Sequence, residues 1–420
     1  MRINSPFIVR FKLPNNNLTM DKNRTFVGQP VLSQILATIP TSIINAANQK
    51  HNSNRYYKKL PLRVHLVSLL YGVFSYCNGL RELCEGMLAC EGKLQHLGLN
   101  KAPAKSTLSD ANTRRSYLVY ETIYFGLVKQ FHSFISDSRL KGLSIRNLKI
   151  IDSTTIRLFS DVLKGVGRNP LNGSRKKGGI KVHTLMDAFS GVAEFVRMTE
   201  AKVHDRKFLF HLKLVANSFI VFDKAYNLYS QFAKWTNQRV WFVTRMKDNA
   251  IYHVTKVLLD KTKRKMVKGV VKEQLITLGF KDGHGKDTRL SLRRITFIAE
   301  DGKKYIFLTN NISLAASQIA LIYKNRWMIE LLFKQIKQNF PLRYFWGNSE
   351  NAIKTQVYSV LIAQLLMVVI RKKADAKKSF ANMITVIRLH LMSYIELLAF
   401  IKDSYKAWRN EYRDPLVFVT

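Results

Sequence analysis

The order of apolar strands and helices between residues 147 and 245 constrains the fold of this chain more than any other feature. Runs with strand-like alternation and runs with helical periodicity follow one another there, separated by turn signals such as Ser190-Gly191. The predicted elements, in chain order, are strands at 147–151, 179–186 and 192–197, a helix at 205–216, a strand at 218–222, a helix at 225–235 and a strand at 239–245. Three antiparallel strands followed by alternating helices and strands predict a mixed sheet with helices on its faces.

We interpret this segment as an α/β core of the ribonuclease-H-like type, although the order of elements also permits other mixed sheets. Residues 20–140 have helical periodicity and predict an all-helical domain, whereas residues 1–19 predict a disordered extension before a true start at Met20. The core is expected to span residues 141–375, with a β-rich insertion at about 246–312. Further helices are expected at 315–339, 351–371 and 381–404, the last within a C-terminal helical region at 376–420.

Charge narrows the choice of partner. The chain has 68 lysines and arginines against 28 aspartates and glutamates, a formal net charge of +40 at pH 7. This excess argues against an enzyme for small neutral substrates and favours nucleic acid, because basic surfaces bind phosphates and release counterions. An anionic membrane surface is the alternative, but the positive charge runs through the whole chain rather than flanking one anchor.

The cysteines and the apolar runs indicate in which cellular compartment the protein is expected. Cys77, Cys84 and Cys90 form no CxxC pair, so they predict buried side chains in a reducing cytosol. The first residues contain only a very short apolar stretch, which is too short for a signal peptide. The longest apolar run, residues 357–370, is interrupted by polar residues and is shorter than a membrane span. We therefore expect a soluble cytoplasmic protein that has no membrane partner.

Two aspartates directly follow predicted apolar strands. Asp152 comes after the strand at 147–151, and Asp223 comes after the strand at 218–222. Ligands of open α/β sheets bind at the carboxyl ends of strands, so the two carboxylates converge if the strands are neighbours. Converging carboxylates repel unless a cation lies between them, and oxygen ligands favour Mg²⁺ or Mn²⁺. The alternative is that each aspartate only caps a turn or a helix.

A third polar group recurs on the helix predicted at 315–339. Tyr323, Arg326, Glu330 and Lys337 fall in one stripe about 60° wide if each residue turns the helix by about 100°. The apolar residues of this helix cluster on the neighbouring face, so the stripe lies at the edge of the packing contact. The alternative is a solvated stripe with an Arg326–Glu330 ion pair of small energetic value.

These residues match the pattern Y-x2-R-x3-E-x6-K in full. With Asp152 and Asp223 upstream, the chain resembles the DDE transposases of bacterial insertion sequences, most closely the insertion-sequence-four family with its YREK signature. The resemblance covers roughly residues 20–375, and residues 25–32 are also similar to the opening of one subgroup. One departure is Ala225, which stands where the family often has glycine two residues after the second aspartate.

The resemblance implies a mechanism and a set of partners. Asp152, Asp223 and Glu330 would be the catalytic acids and would hold two Mg²⁺ ions, for which Mn²⁺ can substitute. The same site would cut the DNA at the ends of the element and join those ends to target DNA. The implied partners are double-stranded DNA with terminal inverted repeats, target DNA and a second copy of the chain in a homodimer. The residues implied to contact the terminal phosphates are Tyr323, Arg326 and Lys337.

Weaker DNA-binding candidates lie elsewhere in the sequence. The candidates are Lys181 and His183 on the second strand, Arg245 and Lys247 at the end of the fifth, and Arg114 and Arg115 on a helix of the N-terminal region. Asp205, after the third strand, could also approach the site, and the basic runs at 175–177 and 261–265 could track phosphates. A buried structural histidine and solvated basic loops are the alternatives.

Three functions fit these observations. The first is a magnesium-dependent transposase, the second is a DNA-binding derivative that no longer cuts, and the third is a structure-specific nuclease of the same fold. The complete set of acids argues against the second, and the YREK stripe with a separate helical region favours the first over the third.

Overall fold

The computed structural model describes residues 28–158, 178–261, 268–281, 285–404 and residue 407. In these ranges the strands are β1 (Leu148–Arg157), β2 (Gly179–Asp187), β3 (Ala193–Glu200), β4 (Phe219–Val221), β5 (Trp241–Arg245), β6 (His253–Asp260), β7 (Gly269–Lys281), β8 (Asp287–Ile298) and β9 (Lys304–Thr309). They form one sheet in the order β3-β2-β1-β4-β5-β9-β8-β7-β6. The predicted extension at 1–19, the proposed start at Met20 and the basic runs at 175–177 and 262–265 lie outside the described residues.

The first five strands form a mixed half-sheet. β1 and β3 each pair with β2 in antiparallel fashion, whereas β1, β4 and β5 run parallel to one another. Apolar side chains of neighbouring positions enter different cores, since Ile150 packs on one face of the sheet and Ile151 on the other. This topology fits a ribonuclease-H-like core.

The strands that follow extend the same sheet. β9 pairs with β5 in antiparallel fashion, and β8, β7 and β6 then follow in turn. The segment at 246–312 is thus β-rich as predicted and contains the strands β6 to β9. That this segment is an insertion in a ribonuclease-H-like core stays a prediction.

Helices surround the sheet. In the described ranges they are α1 (Val31–Leu36), α2 (Thr41–His51), α3 (Leu62–Phe74), α4 (Leu80–Leu88), α5 (Lys105–Arg114), α6 (Leu118–Ile135), α7 (Tyr229–Asn237), α8 (Ala316–Asn325), α9 (Trp327–Asn339), α10 (Glu350–Lys373), α11 (Phe380–Leu389) and α12 (Leu397–Lys402). The helices before residue 136 share one apolar core with α8–α12 and with one face of the sheet. The smaller core on the other face includes α7.

α10 is the central helix of the larger core. Ser349 caps it by accepting a hydrogen bond from the backbone N–H of Ala352, and α3 and α6 pack against it. Among the described residues this one helix is long and apolar enough to cross a membrane, but 89% of its apolar window is buried inside the protein. The apolar run at 357–370 is shorter than a membrane span, as predicted, but the helix that contains it is longer. Burial of this extent is typical of a core helix.

Four predicted helices differ from the structure. The one at 205–216 is a shorter 3₁₀ helix, Asp205–His211, whose Phe208 and Leu209 both enter the core. The one at 225–235 divides into a 3₁₀ turn, Lys224–Tyr226, and α7. The one at 315–339 divides into α8 and α9, and the one at 381–404 divides into α11 and α12. The chain between α11 and α12 leaves the helix to bind α1, since Leu391 and Ser393 accept hydrogen bonds from its first N–H groups.

Candidate active site

The two aspartates are brought together by the parallel pair β1 and β4. The pairing of these strands ends with Ile150 beside Val221. Asp152 and Asp223 each lie two residues farther along, so they occupy equivalent positions just beyond the ladder. The condition for their convergence, that the two strands are neighbours, is therefore met.

The position of Asp152 within its strand differs from the prediction. β1 does not end at residue 151 but continues to Arg157, because β2 pairs with it beyond the point where β4 stops. Asp152 thus lies inside β1, opposite Thr184 of β2. Asp152 lies at the part of the β1 edge that the short strand β4 leaves unpaired. The pattern of β1 alone could not locate this edge.

Glu330 approaches the same edge through an arginine. The guanidinium of Arg326 lies with Nη1 3.3 Å from Oδ2 of Asp152 and with Nη2 2.5 Å from Oε1 of Glu330. Only 14% of the Arg326 side chain is exposed, so this bridge lies mostly out of solvent. Arg326 occupies the single residue between α8 and α9 and keeps helical dihedral angles. One guanidinium thus connects the first and third acids of the predicted set.

Asp223 has an arginine partner of its own. Nη2 of Arg245, the last residue of β5, lies 2.6 Å from Oδ2 of Asp223. The other carboxylate oxygen of Asp223 accepts a hydrogen bond from the N–H of Ala225 and caps the short 3₁₀ turn. Asp223 can therefore cap this turn and also belong to the candidate site. Ala225 is not among the residues with positive φ, so alanine is unstrained at the position where relatives often have glycine.

Burial and charge act differently on the two aspartates. Burial, with smaller contributions from the charges of Glu330 and Asp223, raises the pKa of Asp152 to about 6 in spite of the hydrogen bond from the Ser153 N–H and the charge of Arg326. Burial also opposes ionisation of Asp223, but the hydrogen bonds from Arg245 and Ala225 together with the charges of Arg245 and Arg326 outweigh burial, so the pKa of Asp223 lies below its usual value. The acid with the weaker cationic support is thus Asp152.

The donor set suits a hard divalent cation, because three carboxylates supply only oxygen ligands. The crowding of like charges that raises the pKa of Asp152 is the condition that a bound cation relieves. In the structure this neutralising role is taken by Arg326 and Arg245. The donor chemistry of these residues therefore suits divalent metal ions, although in the structure their oxygens do not all lie within 4.8 Å of one another and the guanidinium groups would have to move away.

A second acidic cluster lies at the other end of β1. Among the described residues, His132, Asp187 and Glu194 are the one group whose potential ligand atoms all lie within 4.8 Å of one another. Nζ of Lys149 lies 3.1 Å from Asp187 and 2.6 Å from Glu194, so an ammonium group already neutralises these carboxylates. We assign no metal site to this cluster.

The remaining residues of the YREK pattern lie around the carboxylates. Tyr323 is buried, its hydroxyl has no hydrogen-bond partner among the described residues, and its ring lies 5.8 Å from the guanidinium of Arg326 and 5.9 Å from that of Arg245. Lys337 donates a hydrogen bond to the carbonyl of Thr155, three residues beyond Asp152. It also lines a cavity of about 620 Å³.

Lys181 and His183 lie beside the site but make internal contacts. Nζ of Lys181 lies 3.3 Å from Asp205, which also accepts a hydrogen bond of 2.7 Å from the hydroxyl of Ser153. His183 is buried, and burial lowers its pKa to about 4, so its ring is neutral at pH 7. Ser153 and Tyr226 were not predicted, since a lone serine or tyrosine gives no signal in the sequence. Burial and the nearby Asp205 and Asp152 charges raise the pKa of the Tyr226 hydroxyl, which places it close to these acids.

The other candidates lie outside this cluster. Lys247 follows β5 and is half-buried, two residues from Arg245. The side chain of Arg114 is 74% exposed and pairs with Asp110, whereas Arg115 is buried. The two arginines therefore belong to a separate part of the molecule, between α5 and α6.

A sheet that delivers two aspartates to one edge, with a glutamate from a following helix, defines the class of enzymes that act on phosphodiester bonds through three acids. The family model of the transposase DDE domain matches residues 144–366, and this chain belongs to that family. A second family model, a domain of unknown function, matches residues 27–100.

Individual relatives agree with this family. The chain is 32% identical over 266 residues to a protein of Sinorhizobium fredii named as a transposase, an overlap of 63% of this chain and 71% of the relative. It is 29% identical over 223 residues to a transposase of a Geobacillus stearothermophilus insertion sequence, covering 52% of this chain and 55% of that protein. A Synechocystis insertion-sequence transposase is 25% identical over 319 residues, covering 73% and 81%. Membership of the insertion-sequence-four family stays a prediction.

Proposed function

We propose that this transposase cuts DNA at the ends of an insertion sequence and joins those ends to target DNA, with Asp152, Asp223 and Glu330 as its catalytic acids. The observation that carries the proposal is the equivalent placement of the two aspartates beyond the β1–β4 ladder, with Glu330 linked to Asp152 through Arg326. The family match supports a reaction on DNA and the use of divalent metal ions. Two Mg²⁺ ions are the finer proposal, because oxygen ligands suit Mg²⁺ and paired ions serve phosphodiester chemistry.

The chain's own residues have separable parts in this reaction. The three carboxylates would hold the metal ions, which supply activation of the attacking oxygen and stabilisation of the leaving oxygen. Arg326 and Arg245 neutralise the carboxylates without DNA and would turn to the phosphates of a bound strand, since guanidinium pairs equally with carboxylate and phosphate.

The path of the DNA follows from the positions of the other basic residues. Lys337, Arg157 and Arg343 line one cavity of about 620 Å³ along residues 155–158, which follow Asp152 in the chain, and we propose that the terminal phosphates lie there. Lys247 would contact the same strand from beyond β5. The contacts of Lys181 and His183 with Asp205 favour an indirect role, in which they position Ser153 beside Asp152.

Assembly is proposed on functional grounds. Two ends must be held together for strand transfer, so we propose a homodimer in which the helices between residues 28 and 140 contribute to recognition of the inverted repeats. The net charge of +40 supports an extended DNA contact surface.

The test is incubation of the purified protein with Mg²⁺ and DNA that carries the inverted repeats flanking its gene. We expect cleavage at the repeat ends, its loss in Asp152→Asn and its retention in Asp301→Asn, a change of an acid that pairs with Lys303 on the surface. Binding without cleavage in any divalent metal would instead favour a DNA-binding derivative. Cutting of branched DNA regardless of the end sequence would favour a structure-specific nuclease.

A further inference from the structure

A basic cleft lies in the N-terminal helical region, apart from the carboxylates. It has a volume of about 470 Å³ and lies between the loop at residues 52–59, which follows α2, and the end of α5. A neighbouring cleft of about 400 Å³ shares the residues Arg55, Tyr56 and Tyr57 with it. Neither cleft is lined by the three acids or by the arginines that pair with them.

Arg115 lines this cleft and is unusual among the buried arginines. Its residue is only 2% exposed, and no carboxylate of the described residues pairs with it. Nη2 donates a hydrogen bond of 2.7 Å to the carbonyl of Leu60, whereas Nε and Nη1 are buried without an acceptor. The ring of Tyr57 covers the guanidinium at 4.2 Å. A buried charge without a counter-ion is costly, so an anion is the ligand that would relieve it.

Ser53 supplies a second unsatisfied donor in the same cleft. The residue is 5% exposed, and its hydroxyl has no hydrogen-bond partner among the described residues. Buried polar groups of folded proteins are nearly always hydrogen-bonded, so two such side chains lining one cleft indicate a group that both can bind. The hydroxyl and the two guanidinium nitrogens are donors, which matches the oxygens of a phosphate.

The rim of the cleft has the same character. Arg55 and Arg114 are exposed there, and Asp110 is the one acid among the described lining residues. Tyr56 is 80% exposed, with the guanidinium of Arg55 5.2 Å from its ring. An exposed aromatic ring beside cations suits a nucleic-acid strand, because bases stack on such rings while the cations contact the backbone.

We propose that this cleft is a phosphate-binding site for the DNA backbone, in which Arg115 and Ser53 receive one phosphate and Arg55, Arg114 and Tyr56 hold the adjoining nucleotides. The Tyr57 side chain, which is half-buried, moves off the guanidinium as the phosphate enters. The proposal rests on the proposed function only for the identity of the polyanion. It adds to the carboxylate site a second anchor, outside the chemistry, that fixes the orientation of the DNA.

The experiment measures DNA affinity without divalent metal, so that cleavage plays no part. Fluorescence anisotropy with inverted-repeat DNA is recorded at several salt concentrations for the wild type, Ser53→Ala, Arg115→Gln and Arg55→Gln. We expect each arginine variant to bind roughly tenfold more weakly and to lower the slope of affinity against salt by about one, because one phosphate contact is lost. Ser53→Ala loses a hydrogen-bond donor, so we expect weaker DNA binding. Because the variant keeps the net charge, the slope of affinity against salt should not change.

Lys234→Gln is the matched control, an exposed charge on α7 that lies on the other side of the sheet. Because Arg115 also supports Leu60 and Tyr57, circular dichroism and the melting temperature accompany each variant. Inorganic phosphate is the second probe, and it should raise the melting temperature of the wild type more than that of Ser53→Ala.

The proposal is overturned if folded Ser53→Ala and Arg55→Gln bind DNA as Lys234→Gln does and inorganic phosphate stabilises all of them equally. A variant that loses cleavage in the metal-dependent assay but keeps its DNA affinity tests only the role proposed for the carboxylates, and it leaves the cleft proposal unaffected. The two proposals therefore fail separately.

Discussion

At the carboxylate site, Arg245 and Arg326 lie against three acidic side chains, whereas in the N-terminal cleft Arg115 lies against a carbonyl and an aromatic ring. Both regions bury guanidinium groups, but only the first provides counter-ions for them. The first region is therefore nearly neutral without a ligand, and its charges must be rearranged when DNA and metal bind. The second keeps an uncompensated positive charge.

The difference separates two ways of using arginine. An arginine that pairs with catalytic acids limits their mutual repulsion and competes with any other cation for them. An arginine with free donors carries a standing cost in stability, and an anion recovers part of it on binding. Variants that change one region and leave the other intact should therefore separate chemistry from DNA affinity.

The largest effect is expected for Glu330→Gln. The amide keeps the shape of the side chain but loses the charge that a divalent cation needs, so the rate of cleavage should fall by about 10³-fold or more. DNA affinity without metal should change little, because the cleft is untouched. The measurement is single-turnover cleavage of end DNA.

Glu350→Gln is the control for this variant. Glu350 is a half-exposed acid at the start of α10 that pairs with Lys354 at 2.6 Å. Full activity of Glu330→Gln, with Glu350→Gln equally active, would remove Glu330 from the catalytic set.

A smaller effect is expected for Arg326→Gln. Loss of the guanidinium between Asp152 and Glu330 should tighten Mn²⁺ binding by about tenfold in the absence of DNA, since one competing cation is gone. Cleavage should nevertheless become slower, because a phosphate contact is lost. Titration calorimetry with Mn²⁺ measures the first effect without any reaction.

Lys324→Gln, an exposed change two residues earlier on α8, controls for the loss of one positive charge. If Arg326→Gln binds Mn²⁺ no more tightly than this control, Arg326 does not compete with metal ions and the contrast between the two regions is weakened.

A third prediction concerns the stability of the fold around His65 and not cleavage or metal binding. Burial, helped by the charge of Arg115, lowers the pKa of His65 from 6.5 to about 3, against the hydrogen bond with Asn112. The unfolded chain therefore binds the proton first as the pH falls. The contribution of neutral His65 is complete above pH 6.5 and is lost progressively between pH 6.5 and 3, by roughly 2 kcal/mol at pH 5.

The variant that checks this is His65→Gln, which cannot titrate in this range. Its free energy of unfolding in urea should fall less between pH 7 and pH 5 than that of the wild type. Parallel declines for both proteins would mean that burial does not hold His65 neutral in the folded protein.

Much of the site could be predicted because its signals are local. An apolar strand before Asp152, another before Asp223 and the spacing of Arg326 and Glu330 can each be read within a few residues. The lengths of the strands could not be predicted in this way, because β1 extends past residue 151 only through its pairing with β2. The division between α8 and α9 at Arg326 was equally hidden, since both halves have helical periodicity.

The sequence by itself determined most kinds of elements and the strongly basic character, and it singled out three candidate acids, because periodicity, charge and spacing are properties of the chain alone. The tertiary structure decided that Arg245 and Arg326 face those acids and that Arg115 faces a carbonyl and an aromatic ring instead of an acid. Arg245 reaches Asp223 across neighbouring parallel strands, and Arg326 reaches Asp152 from a helix on the face of the sheet. Such partners lie far apart along the chain, so only folding sets the distances between their charges.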